Sequence, residues 1–463
     1  MTNPALASRT VDYDTSSGAV TTDSNELGQE TAFTYCVTSD TNCPVGLLKR
    51  VTLPELNYIE YAYDARGNVI SQTSYGAAGS SDDITTSAIY PACTSTNLKV
   101  CNKPEITIDA RSLGTNRVTN YDWNESNGQL DSVLLPADDD GVRPETRMTY
   151  QSVSARYLTG ASTYTDGPAI SVPATVSSCR IATSNDPAWC VGNVQERVTS
   201  VAYPSNVANN VQPSSVTTKS GDNTLATTTG LTYDVFARLK KVDGPLSGIG
   251  DQVFYSYNGA GQTTGVISPD PDGPNETALF QAVKYTYAPN GLLDYVQSGT
   301  VTAQSDSAWT SFDEYQRQAT VYDSYYRPIR SVLSSDGTVY GVVDQRYDAV
   351  GRVLCTMQRM EDDAADAGYW GSLPNWGALP SDCNPQQTLS IEGPDRVTYN
   401  HYDALGRIWK VTTGHGTSTA AAAQIRSFTD NGRIEFLIDG NGNRTEYRDD
   451  AHGRLLLAGF RSS

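Results

Sequence analysis

The sequence predicts an all-β fold, a long antiparallel sheet assembled from repeated hairpins, and three observations carry that expectation. Tyrosine outnumbers phenylalanine 28 to 8, while Thr, Ser and Val crowd the chain and long Ala/Leu/Glu/Lys stretches are missing; this is a composition of strands and turns. A phrase of the type "YDALGRIWKV", beginning at Tyr402, returns as "YDARGNVI" from Tyr63, "YDVFARL" from Tyr233 and "YDAVGRV" from Tyr347. Around it apolar and polar residues alternate, as Val397 and Tyr399 do with Thr398 and Asn400, and that period of two gives a strand one apolar and one polar face.

Each phrase reads as a hairpin turn. Asp403 can hydrogen-bond the turn backbone, and Gly406 accepts the positive φ that short hairpin loops need. Asp64 and Gly67, Asp348 and Gly351, and Asp234 hold the matching places. Asp348 with Arg352, and Asp403 with Arg407, flank their turns and can meet across them, pairs worth under ~1 kcal/mol that fix register more than stability. Tyr63, Tyr233, Tyr347 and Tyr402 offer a flat apolar body with a polar tip, suited to a ladder. Drifted copies begin at Tyr13, Tyr121, Tyr257, Tyr287, Tyr322, Phe428 and Tyr447. Two strands and a turn cannot bury their own apolar face, so neighbours must stack into one sheet. The organisation expected is one continuous body, with a divergent region over 1–225, regular repeats over 226–463 and an aromatic-rich insertion at 356–383.

Charge and cysteines bound the function. The net charge is −19, from 33 basic and 52 acidic residues, and no basic stripe appears, so nucleic acid is not an expected partner. No apolar run reaches the ~20 residues that span a bilayer. Eight cysteines fall in sequence-adjacent couples: Cys36 and Cys43, Cys93 and Cys101, Cys179 and Cys190, Cys355 and Cys383. Connectivity is not fixed by sequence, and local closure of polar loops is the simplest assignment. Zinc and free thiols are the competing readings; none of the spacings is that of a structural zinc site, and there are only 3 His. Disulfides place the chain in an oxidising compartment, extracellular or at a cell surface.

The phrases at Tyr63, Tyr347 and Tyr402, with "DGNGNRTEYRDDAHGRLLL" from Asp439, resemble the YD repeats of the Rhs family, which also occur in toxin-complex shell proteins and in teneurins. The likeness is strongest from about 226 to 463. It implies a sheet that spirals into a shell, cocoon or tube, often around a C-terminal toxin. The DPxGxxG-type core that ends such shells is not found: "SPDPDGPNE" from Ser268 lies mid-chain and lacks the second Gly. No aspartyl autoprotease is carried over, and the chain is expected to be a shell segment lacking core and toxin.

The remaining motifs each have a plain reading beside a functional one. "DGNGNRTE" alternates Asp439, Asn441 and Asn443 as a calcium loop does, but Arg444 stands where that loop needs Gly, so a repeat turn is expected. The acidic loops from Pro136 and Ser268 are expected to be solvated, and no metal or cofactor is expected. Tyr369, Trp370 and Trp376 could bind a glycan or a cell-surface receptor, or fold back onto the sheet. His401, His415 and His452 sit in no catalytic motif, and no enzyme is expected. The expected role is a structural shell or wall, with an enclosed toxin, other YD-repeat segments or further copies of the chain as partners.

Overall fold

The computed structural model describes residues 8–77, 83–109, 117–138, 141–160, 163–182, 191–205, 207–208, 210–269, 279–360, 382–385 and 393–461. The protein is all-β: among the described residues thirty strands form one long antiparallel sheet. In chain order they are β1 (Thr10–Tyr13), β2 (Val20–Ser24), β3 (Glu30–Tyr35), β4 (Leu48–Thr52), β5 (Tyr58–Tyr63), β6 (Val69–Tyr75), β7 (Ile84–Ile89), β8 (Ile106–Asp109), β9 (Arg117–Trp123) and β10 (Leu130–Leu134). Next come β11 (Arg143–Leu158), β12 (Tyr164–Ala182), β13 (Glu196–Ala202), β14 (Ser215–Ser220), β15 (Ala226–Tyr233), β16 (Leu239–Asp243), β17 (Val253–Tyr257), β18 (Thr263–Ile267), β19 (Phe280–Tyr287) and β20 (Leu293–Val301). The last ten are β21 (Asp313–Tyr322), β22 (Pro328–Ser335), β23 (Thr338–Tyr347), β24 (Val353–Gln358), β25 (Arg396–Tyr402), β26 (Ile408–Thr413), β27 (Ala421–Phe428), β28 (Ile434–Asp439), β29 (Arg444–Asp449) and β30 (Leu455–Arg461). Among the described residues no helix is long and apolar enough to cross a membrane.

Contacts divide the chain into two compact units. The first takes Met1–Ser87, Ala110–Gly114 and Gln318–Ser463; the second takes Ala88–Asp109 and Thr115–Arg317. This division follows space, whereas the one at 225 follows the regularity of the repeats.

In the first unit each of β1 to β6 pairs with the next strand in the chain, and so does each of β22 to β29. Its buried residues lie on alternate positions: Val332 on β22 and Val342 on β23 form one cluster, and Met357, Val397 and the Cys355–Cys383 bridge form another. At the other end of this unit's sequence Cys36 and Cys43 pack with Tyr63.

In the second unit β8 to β20 run as the same kind of meander. Here Thr side chains meet across strands, with Thr149–Thr175 at 2.6 Å and Thr217–Thr228 at 2.8 Å, the sheet counterpart of helical side-chain pairing. Strands β11 and β12, 16 and 19 residues long, make one long hairpin that no turn phrase marks. The unit's core is Phe254, Ile267, Phe280, Ala282 and Val301. A short 3-10 turn, Asp306–Ser311, closes over it, bringing Ala308, Trp309 and Phe312 onto the sheet. That turn is tied down by Ser256 donating to Asp306 at 2.9 Å and by the Gln304 amide donating to the carbonyls of Gln252 and Ser268.

Candidate functional site, a ladder of turns

Most of the YD turns share one wiring. In "YDAVGR" the Asp348 N–H donates to the Arg352 carbonyl at 2.9 Å, closing a five-residue loop, and the Gly351 N–H donates back to Asp348. Asp348 Oδ1 accepts from the N–H groups of Val350 and Arg352, while Oδ2 takes Arg352 Nε at 2.6 Å. The Asp and Arg therefore meet inside one loop, at i and i+4, and the carboxylate is the hub of the turn. The two backbone bonds to Oδ1 recur at Asp64, Asp234, Asp323 and Asp450. Asp403 accepts from Arg407 N and Nε, and Asn258 does the work with an amide oxygen. Asp439 accepts from Asn441 and Asn443 in this manner, so the calcium-like string is a repeat turn.

These bonds decide the protonation of the carboxylates. At Asp64 partial burial raises the pKa, and donation from Asn68 and Arg66 overcomes it, leaving about 2. Asp234, Asp348 and Asp450 are lowered by the same opposition of burial and donated hydrogen bonds. The fourth loop residue is left-handed: Gly67, Gly351 and Gly406 have φ of 88°, 89° and 79°, yet Ala237 and Tyr326 hold the position at 65° and 63°. Just past each turn one residue bulges from the second strand. Tyr402 faces Ile408 while His401 faces Lys410, leaving Trp409 over, and Tyr233 and Tyr347 begin identical shifts.

What joins one hairpin to the next is the tyrosine. The Tyr402 hydroxyl donates to the Val353 carbonyl at 2.7 Å, Tyr347 to Pro328 at 2.8 Å, Tyr257 to Leu239 at 2.7 Å and Tyr287 to Thr263 at 2.8 Å. Each acceptor is the residue directly after the preceding hairpin's loop. Burial raises the pKa of all four phenols. The ladder is not ring upon ring. Where the preceding turn ends in Arg, its guanidinium covers the ring: Arg352 lies over Tyr402 at 4.3 Å, Arg327 over Tyr347 at 4.5 Å, Arg238 over Tyr257 at 4.7 Å and Arg407 over Phe428 at 4.1 Å. One Arg thus holds its own Asp and the next hairpin's aromatic, and Tyr63 also bonds backward, to the Leu48 carbonyl.

The cysteines modify this pattern. Cys36 stands where other turns have Asp, its N–H bonding the Leu47 carbonyl at 2.8 Å, and its disulfide to Cys43 closes the loop inserted there, with Cα atoms 5.4 Å apart. Cys93–Cys101 and Cys355–Cys383 are bridged with Cα separations of 5.0 and 6.0 Å. Cys179 is also disulfide-bonded; Cys190 lies outside the described residues, as do Tyr369, Trp370 and Trp376.

Two features escaped the sequence reading. The first is a chain of buried charges, Arg330, Asp344, Arg359 and Asp395, each no more than 5% exposed. Arg330 Nη2 donates to Asp344 at 2.8 Å, and Arg359 lies 3.7 Å from Asp344 and 3.2 Å from Asp395. Two cations and two anions cancel, which is how charge is tolerated away from water. The second is a seam inside the first unit. Asn431, in the β27–β28 turn, donates to Glu55 and Asn57 at 2.9 Å, Gln29 reaches Asp430 at 3.1 Å, and Ala77 N–H bonds the Ala451 carbonyl at 2.9 Å. His452 Nδ1 lies 3.2 Å from Ser74 Oγ in the same seam. The other two histidines sit in an aromatic row: Tyr399 stacks on His415 at 4.4 Å, and His401 lies between Tyr399 and Trp409. Among the described residues no three His, Cys, Asp or Glu gather as a metal site.

No protein-family model matches the chain, and no curated protein matches it. Among solved structures it is similar to the TcdB2-TccC3-Cdc42 crystal structure, at 13% identity over 99% of this chain and 26% of that one, with a TM-score of 0.33. A second, TcdB2-TccC3-TEV, gives 12% identity over 98% and 29%, with a TM-score of 0.34. A Photorhabdus luminescens Tc holotoxin pore with a TccC3 mutation gives 12% over 95% and 26%, at 0.29. The chain spans between a quarter and a third of the length of these structures. At such scores they carry neither family nor activity.

Proposed function

We propose that this chain is a structural scaffold of the YD-repeat kind, a segment of wall that works outside the cytoplasm by enclosing or bounding a cargo polypeptide, with a toxin as the expected cargo. The observation that carries the reading is the ladder itself. In the regular repeats a hub carboxylate, a guanidinium and a phenol are spent on holding one hairpin to the next, so the repeated residues serve continuity of the sheet. The reading assigns the chain no catalytic role. Closed loops at Cys36–Cys43, Cys93–Cys101 and Cys355–Cys383 support an oxidising compartment.

The test is protection of a cargo. The chain is secreted with a reporter polypeptide fused after Ser463, and protease is added before and after the scaffold is unfolded. Protection that disappears on unfolding supports the reading; cleavage at equal rates in both states overturns it. Non-reducing peptide mapping on the same sample reads the compartment, where free thiols at the bridged positions would count against export.

A further inference from the structure

Asparagine stands directly before glycine at five places in the chain: Asn127–Gly128, Asn258–Gly259, Asn290–Gly291, Asn431–Gly432 and Asn441–Gly442. Such a pair can modify itself, because a glycine nitrogen has no side chain beside it to hinder its approach to the neighbouring amide carbon. In four of the five the nitrogen is engaged. The N–H of Gly128 donates to the Asn124 carbonyl at 2.7 Å, Gly291 to Ala288 at 2.8 Å, Gly432 to Thr429 at 2.9 Å and Gly442 to Asp439 at 3.0 Å, each glycine being the left-handed residue of its turn. At the fifth the order differs: Asn258 is the hub, and Gly259 follows it, exposed to solvent. Among the described residues no hydrogen bond uses the Gly259 N–H.

The hub wiring also activates the amide. Asn258 Oδ1 accepts from the N–H groups of Ala260 and Gln262, both at 3.0 Å. Negative charge that develops on this oxygen is therefore met by fixed donors, the arrangement that stabilises the tetrahedral intermediate of acyl transfer. Nδ2, the leaving group, donates to Gln262 Oε1 at 2.8 Å. Asn25 is wired in the same way to Leu27 and Gln29, but the bulkier Glu26 follows it. Asp439 precedes Gly440 in a like turn, yet hydrogen bonds, that of the Asn443 side chain foremost, lower its pKa, and an ionised carboxylate is a poor electrophile. Among the described turns only Asn258 joins the fixed donors, a neutral amide and an unhindered nucleophile.

We propose that the Asn258–Gly259 turn modifies itself in the folded protein, converting its hub amide to a carboxylate. The Gly259 nitrogen gives its proton to water and bonds to Asn258 Cγ; the Cγ–Nδ2 bond breaks, and Nδ2 takes a proton from water and leaves as ammonia. Attack within one residue forms this cyclic imide without the entropy cost of bringing two molecules together. Water then opens the ring. Cleavage at Cγ gives aspartate, cleavage at the main-chain carbonyl gives isoaspartate, and in sum a water enters and an ammonia departs. The change reaches the next hairpin, because Gln262 Oε1 now faces a carboxylate. Its amide must turn, giving up the bond by which Nε2 holds the Gly291 carbonyl at 2.8 Å, so this joint acquires a dependence on the age of the molecule.

Peptide mapping by mass spectrometry tests this on the full chain, held folded at mildly alkaline pH for increasing times and, in parallel, unfolded in urea, with aspartyl and isoaspartyl peptides separated by chromatography. In the folded chain Asn258 is expected to convert at least about fivefold faster than the other four asparagines, whose glycine N–H must first leave a hydrogen bond. Unfolding should bring the five rates together. Isoaspartate should accompany aspartate at 258, since it arises from the imide. Gly259→Ala, whose added methyl group meets nothing within 4 Å, should keep the sheet by circular dichroism and lose most of the conversion. A folded chain in which Asn258 converts no faster than the other four, aspartate at 258 without isoaspartate, or a Gly259→Ala chain that converts at the wild-type rate would each overturn the proposal.

Discussion

The indole of Trp309 lies against Gly265, with Nε1 donating to Ser256 Oγ at 2.8 Å, and a Cβ placed on that glycine would overlap the ring. Glycine ordinarily weakens a strand, and here it makes room for a close approach. Gly265→Val should therefore expel the 3-10 turn from the core of the second unit. The expected loss is about 2–4 kcal/mol in urea unfolding, with loss of the near-UV dichroism of a packed indole. Unchanged stability would mean that the turn does not cover the sheet.

Ala237 and Tyr326 sit at left-handed φ where glycine costs nothing. Ala237→Gly and Tyr326→Gly should each stabilise by about 1 kcal/mol, and Gly351→Ala should destabilise by a similar amount. A urea midpoint that moves the opposite way for any of the three would refute the turn assignment there.

Tyr402→Phe keeps the ring under Arg352 and removes only the donor to Val353. The expected cost is about 1 kcal/mol. Tyr402→Leu should cost more, because it also removes the face on which the guanidinium rests. Equal effects of the two changes in thermal melts would argue that the cation contributes nothing.

The hub carboxylates set an acid limit. Asp14 falls to about 2 through hydrogen bonds from Ser16 and Ser17, and Asp64 to about 2; Asp234, Asp323, Asp348, Asp439 and Asp450 are lowered as well. An unfolded Asp titrates near ~3.9. Above that value both states are ionised and the contribution is complete. As the pH falls toward ~2 the unfolded chain takes up protons that the folded turns resist, and stability drops. Melting temperatures should fall steeply between about pH 4 and 2, most gently in a variant carrying Asn at several hubs. A flat profile would contradict the hub role.

Asp344 is fully buried between Arg330 and Arg359. Asp344→Ala should cost about 3–5 kcal/mol by leaving buried positive charge uncompensated, while replacing Arg330 and Asp344 together by Met and Leu should recover most of it. Equilibrium unfolding of the two variants decides, and a double variant as weak as the single one would assign the loss to packing.

The hairpins were legible because their chemistry is local: an Asp, a left-handed residue and an Arg within five positions dictate a loop wherever they occur. The ladder was half legible. Tyr before Asp announced a row, but that the row alternates phenol and guanidinium depends on register between hairpins, which no single phrase encodes. Position 237 shows the limit of a glycine rule, since Ala takes the same φ when the surrounding bonds fix it. The long β11–β12 hairpin carries no turn phrase, and the Asp344 chain joins residues whose partners lie far off in sequence, so neither could be read from spacing. The aromatic insertion at Tyr369, Trp370 and Trp376 falls outside the described residues and stays a sequence expectation.

The seam has a consequence in time. Glu55 and Asn431 are 376 positions apart, so on a ribosome the early hairpins of the first unit emerge long before the turns they will touch. Each can form at once, because its ladder bonds are with immediate neighbours, but the unit cannot be completed until its last hairpins are made. Closing so long an interval costs conformational entropy only logarithmically in its length, yet it delays the final contact. Until then the polar side chains of Gln29, Glu55 and Asn57 keep water as their partner, so the turns that will meet expose no apolar surface at these three positions.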